Sequence, residues 1–127
     1  MNTQVSVVRC SDYNDESVEK AARNSIKFIG GLGKIIKPED KVLLKVNLLA
    51  PTEAEKAVTT HPAVVKATIK LVREAGGIPI VADSPGFLFA GGKNTALIRS
   101  GIKEIADELG AEALQFETVD NSFVEIV

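Results

Sequence analysis

The spacing of apolar residues predicts three helical regions in the chain. Apolar positions recur at helical intervals over residues 15–29 and again over 62–75, and each run ends at a pair of glycines. Residues 94–110 have the same spacing, interrupted at Gly101. We therefore expect two long helices and one broken helical region.

Short apolar and β-branched runs lie between these helical segments and predict strands. A nearly continuous apolar run is typical of a strand covered on both faces. The predicted strands are QVSVV (4–8), KVLLKVNLLA (41–50), IPIVAD (78–83), AEALQF (111–116) and, as a candidate fifth strand, FVEIV (123–127).

Strands that alternate with helices indicate right-handed βαβ crossovers. We expect an α/β fold of the three-layer αβα type, with a mostly parallel sheet of four to five strands. The length of 127 residues fits a single domain, 1–127. FVEIV ends the chain on an apolar run without a closing helix, so we expect the chain to be the N-terminal part of a longer protein.

Composition and charge exclude several classes of protein. The chain has 15 Lys and Arg against 17 Asp and Glu, without the basic face that a general nucleic-acid binder needs. Neither a signal peptide nor a membrane-spanning run is evident, so we expect a cytoplasmic protein with no membrane partner. Cys10 is the only cysteine, so it cannot by itself hold zinc or an iron–sulfur cluster, and we expect it in the core.

Three polar clusters follow predicted strands, and the first contains Lys45 and Asn47. They are two residues apart on one strand, so their side chains share a face at or near its end. A lysine in an apolar run needs an anion or access to water. Lys45 therefore either binds an anion or extends past the sheet edge into solvent.

The second cluster, TTHP (59–62), opens the helix at 62–75. Proline favours the first helical turn, so Thr60 or His61 is the expected N-cap, and free N–H groups there could hold a carboxylate or phosphate. His61, the only histidine, is a mediocre cap whose imidazole can exchange protons near neutral pH. Thr59, Thr60 and His61 are candidates for ligand binding, with a purely structural cap as the alternative.

The third cluster, DSPG (83–86), directly follows the strand at 78–83. Asp83 could act as a general base, a metal ligand or a partner of Lys45, and Ser84 could bond loop amides. The alternative is an Asx turn. His61 and Asp83 alone are fewer ligands than catalytic zinc sites use, so no metal is predicted.

Two glycine clusters fail the spacing of a phosphate-binding loop, GxxxxGK[ST]. FIGGLGKI (28–35) has Phe28 at the first glycine position and lies at a helix end. In DSPGFLFAGGKNT (83–95) the glycines are wrongly spaced, and the apolar FLF (87–89) favours a lid or contact surface.

Read in order, VSVVRCSDY, VLLKVNLLAP, AVTTHPAVV and VADSPG resemble the N-terminal half of the DUF362 family, proteins of uncharacterised function. The resemblance covers nearly the whole chain. It implies an α/β domain whose polar signature is matched here by Lys45, Asn47, Thr59, Thr60, His61, Asp83 and Ser84. Longer family members often carry a ferredoxin-like segment with iron–sulfur cysteines, which implies a possible redox association through a part beyond this sequence.

These observations predict a small anionic molecule bound at the carboxyl ends of the strands. Lys45, Asn47, Thr59, Thr60 and Ser84 would bind it, and His61 with Asp83 would handle protons. No cofactor is expected in this chain. The alternative is an interaction half-domain without a site of its own, which forms a homo-oligomer or pairs with a C-terminal part.

Overall fold

The protein is described as a computed structural model over residues 3–86 and 94–118. Two long helices, two short helices and three strands follow one another in the order expected of βαβ units. They are α1 (Asp15–Phe28), β1 (Lys41–Lys45), α2 (Pro62–Glu74), β2 (Ile78–Asp83), α3 (Thr95–Arg99), α4 (Ile102–Glu108) and β3 (Glu112–Gln115). The break at Gly101 separates α3 from α4 as predicted.

The three strands form a parallel sheet in the order β1-β2-β3. Leu43 pairs with Ile80, and Ile80 pairs with Glu112. The sheet confirms the prediction of an α/β fold with parallel strands. Because the strands are parallel, their carboxyl ends share one edge of the sheet.

The main hydrophobic core lies between one face of the sheet and the helices. Val81 on β2, Ile69 on α2, Leu97 on α3 and Ile102 on α4 are fully buried in it. On the opposite face of β1, Lys41, Leu43 and Lys45 are exposed. This part of the outer face of the sheet is therefore open to solvent at β1 within the described residues.

Helix α1 packs on α2 rather than on the sheet. Its contact is a small cluster in which Val18 and Ala22 meet Ala63 and Ala67. Ion pairs flank this cluster, and they join Asp15 to Lys66 at 2.9 Å, Glu19 to Lys70 at 2.6 Å and Arg23 to Glu74 at 2.5 Å. These pairs run in register, so α1 and α2 are parallel and both begin at the carboxyl end of the sheet.

The strand predicted at 4–8 was wrong, because residues 3–14 contain neither helix nor strand. Val5 and Val7 are 81% and 90% exposed, so this β-branched segment has no sheet neighbour to stabilise it. The predicted core position of Cys10 was also wrong, since Cys10 is exposed. FVEIV (123–127) and FLF (87–89) lie outside the described residues, and the described sheet has three strands rather than four or five.

Strand β1 is shorter than its apolar run because other groups take over the hydrogen bonds beyond Val46. Val46 still donates to the Ala82 carbonyl of β2 at 3.3 Å. The next N–H group, on Asn47, donates to the Thr60 hydroxyl at 2.9 Å, and that of Leu48 donates to the Asp83 carboxylate at 2.8 Å. The end of β1 is thereby tied to two of the predicted polar clusters.

Candidate functional site at the carboxyl ends of the strands

Lys45 and Asp83 form an ion pair across the ends of β1 and β2. The Asp83 side chain is 6% exposed and that of Lys45 is 61% exposed, so a buried carboxylate holds a cation that reaches solvent. The second carboxylate oxygen of Asp83 accepts the Leu48 N–H, while the Lys45 ammonium also donates to the Val46 carbonyl at 3.0 Å. Asp83 thus satisfies a buried N–H group and positions the ammonium.

Asn47 and Thr60 close the loop that connects β1 to α2. The Asn47 N–H donates to the Thr60 hydroxyl, and the Thr60 N–H donates to the Asn47 carbonyl at 2.9 Å. The Asn47 side-chain amide donates to the Val58 carbonyl at 2.7 Å. Both residues lie at the predicted edge, and the hydrogen bonds shown here give them a structural role in holding the loop.

His61 is the N-cap of α2. Its Nδ1 accepts the Ala63 N–H at 3.2 Å, so in the neutral ring the proton lies on Nε2 and that atom is a donor. The Tyr13 ring stacks on the imidazole with a centroid distance of 3.9 Å and an interplanar angle of 14°. The cap and the stacking together fix the orientation of the ring.

The first turn of α2 uses its own N–H groups. Pro62 has none, Ala63 donates to His61 Nδ1, and Val64 donates to the His61 carbonyl at 2.9 Å. An anion at this end would be attracted by the helix dipole and by side chains rather than by free N–H groups.

Thr59 and Ser84 are near the other candidates in sequence, and the described structure shows no side-chain hydrogen bond that joins either of them to the others. Thr59 is 8% exposed, and among the described residues its hydroxyl has no hydrogen-bond partner. Ser84 is exposed directly after Asp83. Two direct contacts therefore join candidate residues. Lys45 pairs with Asp83 through their side chains, and the Thr60 hydroxyl bonds the backbone N–H of Asn47.

Side chains that could ligate a metal ion are few in the described part of the chain. Among residues 3–86 and 94–118, no group of three or more His, Cys, Asp or Glu side chains is arranged to hold a metal ion. The whole chain has one cysteine, whereas iron–sulfur clusters are held by several thiolates. A cluster would therefore need ligands from outside this sequence.

Sequence reasoning missed two features of this region. Tyr13 stacks on His61 although it is distant in sequence, and its only signal was its place at the end of the VSVVRCSDY stretch. A groove of about 310 Å³ beside Lys45 and Thr60 was also missed. It lies between β1 and α2, so its walls depend on how the two elements pack.

The sequence of the chain matches the model of a known protein family. The model of DUF362, a domain of unknown function, matches residues 42–126. This range contains all seven candidate residues of the site.

One relative is a thylakoid-associated protein of Synechocystis sp., to which the chain is 41% identical over 87 residues. The alignment covers 68% of this chain and 27% of the relative, so the chain spans little more than a quarter of that protein. No solved structure matches the chain. Within the described residues, no helix combines the length and apolar character required to cross a membrane.

Proposed function

This chain belongs to the DUF362 family, and on that premise we propose that it binds a small anionic ligand at the carboxyl ends of β1 and β2. The observation that carries the proposal is the Lys45–Asp83 pair, in which a buried carboxylate positions a largely exposed ammonium. In open parallel sheets, ligands bind beyond the carboxyl ends of the strands. A carboxylate or a phosphate is the class of ligand that such an ammonium would bind.

The candidate side chains at this edge of the sheet would divide into ligand contacts and supports. Lys45 has three N–H donors, of which two bond Asp83 and Val46, so one remains for a ligand. His61 would add its Nε2–H, and Ser84 would add an exposed hydroxyl. Asn47 and Thr60 would hold the loop in place, as their hydrogen bonds indicate.

If a reaction follows binding, His61 and Asp83 are the groups that would handle protons. In the neutral ring, Nδ1 accepts the Ala63 N–H and Nε2–H would donate a hydrogen bond to the ligand. His61 would give up a proton only from the imidazolium form, in which Nδ1 is protonated and releases the Ala63 N–H. Asp83, buried beside Lys45, would act as the acceptor. Thr59 would contribute less to binding. Its hydroxyl is buried, has no hydrogen-bond partner among the described residues, and could bond a polar group of the ligand.

The test is a ligand screen on a variant that removes the cation without leaving a buried charge unpaired. In the double variant Lys45→Met/Asp83→Asn, the introduced amide retains an oxygen acceptor for the Leu48 N–H. Lys41→Met is the matched control, because Lys41 is an exposed lysine on the same face of the same strand. The screen compares small carboxylates and phosphates by thermal shift and calorimetry.

A ligand at a hundred times its Kd stabilises the folded state by about 2.7 kcal/mol, which gives a measurable shift of the thermal midpoint. We expect the wild type and Lys41→Met to shift equally and the double variant not to shift. If the double variant bound the ligand with the same affinity as the wild type, Lys45 would not be part of the site and the proposal would be overturned.

A second candidate function, an interaction half-domain, is favoured by the open face of the sheet. Leu43 and Ile78 on that face are 53% and 42% exposed, and the chain matches only 27% of its relative. We propose that the isolated chain self-associates through this face. Sedimentation should then show a mass that rises with concentration in the wild type and less in Ile78→Glu; a monomer at every concentration would contradict self-association.

We also propose a redox link through a longer family protein. A longer family protein with a ferredoxin-like segment would bring an electron carrier near this site, and an iron–sulfur absorption band in such a protein would support the link. We also propose a cytoplasmic location for the chain, and fractionation of expressing cells would test it. The name of the Synechocystis protein makes a thylakoid fraction the informative comparison.

A further inference from the structure

An apolar groove runs from the proposed anion site along the outer side of β1. Its volume is about 310 Å³, close to the lower end of the range of small-molecule cavities, ~300–1,000 Å³. Within the described sheet β1 is an edge strand, so α2 forms the other wall of the groove. The groove is lined by Leu43, Leu44, Lys45, Val46, Thr60, Val64, Val65 and Thr68.

The walls of the groove leave apolar surface in water. Leu43 is 53% exposed and Val64 is 37% exposed, although both flank a buried core. The Thr68 hydroxyl donates to the Val64 carbonyl at 2.8 Å and is therefore already used within the helix. A ligand that covered these walls would gain free energy by removing apolar surface from water.

The polar groups of the groove are at the end of β1. Lys45 brings one free N–H donor, and the Thr60 oxygen accepts the Asn47 N–H while its own hydroxyl hydrogen can still be donated. Asp83 neutralises much of the Lys45 charge. The site is therefore better matched to a single negative charge than to a doubly charged phosphate.

We propose that the ligand of this site is an amphipathic monocarboxylate. Its carboxylate accepts hydrogen bonds from Lys45 and Thr60, and its hydrocarbon tail lies in the groove against Val64 and Leu43. The groove volume suits a short tail rather than a long lipid chain. This inference rests on the proposed function, because it requires the anion site at Lys45.

The experiment is calorimetric titration of the full chain with acetate, butanoate, hexanoate and octanoate at constant ionic strength. Each methylene that enters the groove should tighten binding by up to about fourfold, which corresponds to ~0.8 kcal/mol of transfer free energy. The gain should stop once the groove is full. Pentanol, which carries the same hydrocarbon tail as hexanoate on an uncharged hydroxyl, should bind much more weakly than hexanoate.

Val64→Ser tests the wall of the groove, and Ile98→Ser is the matched control. Val64 is a partly exposed residue of α2, and Ile98 is 60% exposed on α3 and does not line the groove. We expect Val64→Ser to weaken octanoate binding while acetate binding is unchanged. Ile98→Ser should leave the whole series unchanged.

The possible outcomes separate this inference from the proposed function. Equal affinity for acetate and octanoate would overturn the groove inference and leave the anion site standing. A chain-length dependence that Val64→Ser does not reduce would show nonspecific hydrophobic association and would also overturn it. No binding of any carboxylate or phosphate would overturn the inference and the proposed function together.

Discussion

Replacing Asp83 by alanine should destabilise the fold by about 2–3 kcal/mol. Asp83 accepts the N–H of Leu48, which is fully buried, so alanine would leave that donor without a partner. Losing a hydrogen bond to a charged group costs ~1.5–3 kcal/mol. The Lys45 side chain is 61% exposed and its ammonium can return to water, so loss of the ion pair adds only ~0–1 kcal/mol.

Equilibrium urea unfolding followed by circular dichroism measures this loss. Ser84→Ala is the matched control, because Ser84 is the exposed neighbour and its change should stay within about 0.5 kcal/mol. Asp83→Asn keeps an oxygen acceptor for Leu48 and should lose less stability than Asp83→Ala. The reasoning would be refuted if Asp83→Ala lost no more free energy of unfolding than Ser84→Ala, or if Asp83→Asn lost as much as Asp83→Ala.

Three further predictions follow from the same structure. His61→Ala should lower the free energy of unfolding by about 1 kcal/mol through loss of the cap on α2, and His61→Ser should recover part of it; equal urea midpoints for the two variants would contradict the cap. Gly77→Ala should lower the free energy of unfolding by about 1–3 kcal/mol in the same assay, because the added Cβ would lie within 3.0 Å of three side-chain atoms. Gly33→Ala is the control and should cost much less, because a Cβ there would meet nothing within 4 Å. Hydrogen bonds from Lys70, and to a lesser extent from Arg23, lower the pKa of Glu19 below its ordinary value of 4.5. The Glu19 carboxylate therefore stabilises the folded state at any pH above 4.5, and this stabilisation is lost as the pH falls through the folded-state pKa. Thermal midpoints of wild type and Glu19→Gln should therefore differ at neutral pH and converge in acid, and a difference independent of pH would contradict this.

Local patterns predicted most of the helices and strands. The helical spacing before two pairs of glycines placed α1 and α2, and the proline after His61 marked the start of α2. These signals depend on residues close in sequence, namely caps, glycine stops and periodic apolar positions. The length of β1 was overestimated because its last residues bond to Thr60 and Asp83, which lie far along the chain.

Strand pairing was less predictable than strand propensity. QVSVV (4–8) has a β-branched composition, yet it remains outside the sheet and largely exposed. A strand is stabilised by its neighbours, and composition does not specify whether a neighbour is present. The same reason explains why the number of strands was overestimated for the described part of the chain.

The sequence by itself determined the α/β class, the parallel arrangement and the placement of the polar clusters at strand ends, because these follow from the order and period of short segments. Only the tertiary structure decided that Asp83 pairs with Lys45, that Tyr13 stacks on His61, and that an apolar groove adjoins them. These contacts join residues from different elements. Their existence depends on the register of β1 with β2 and on the packing of α1 and α2, which no local pattern specifies.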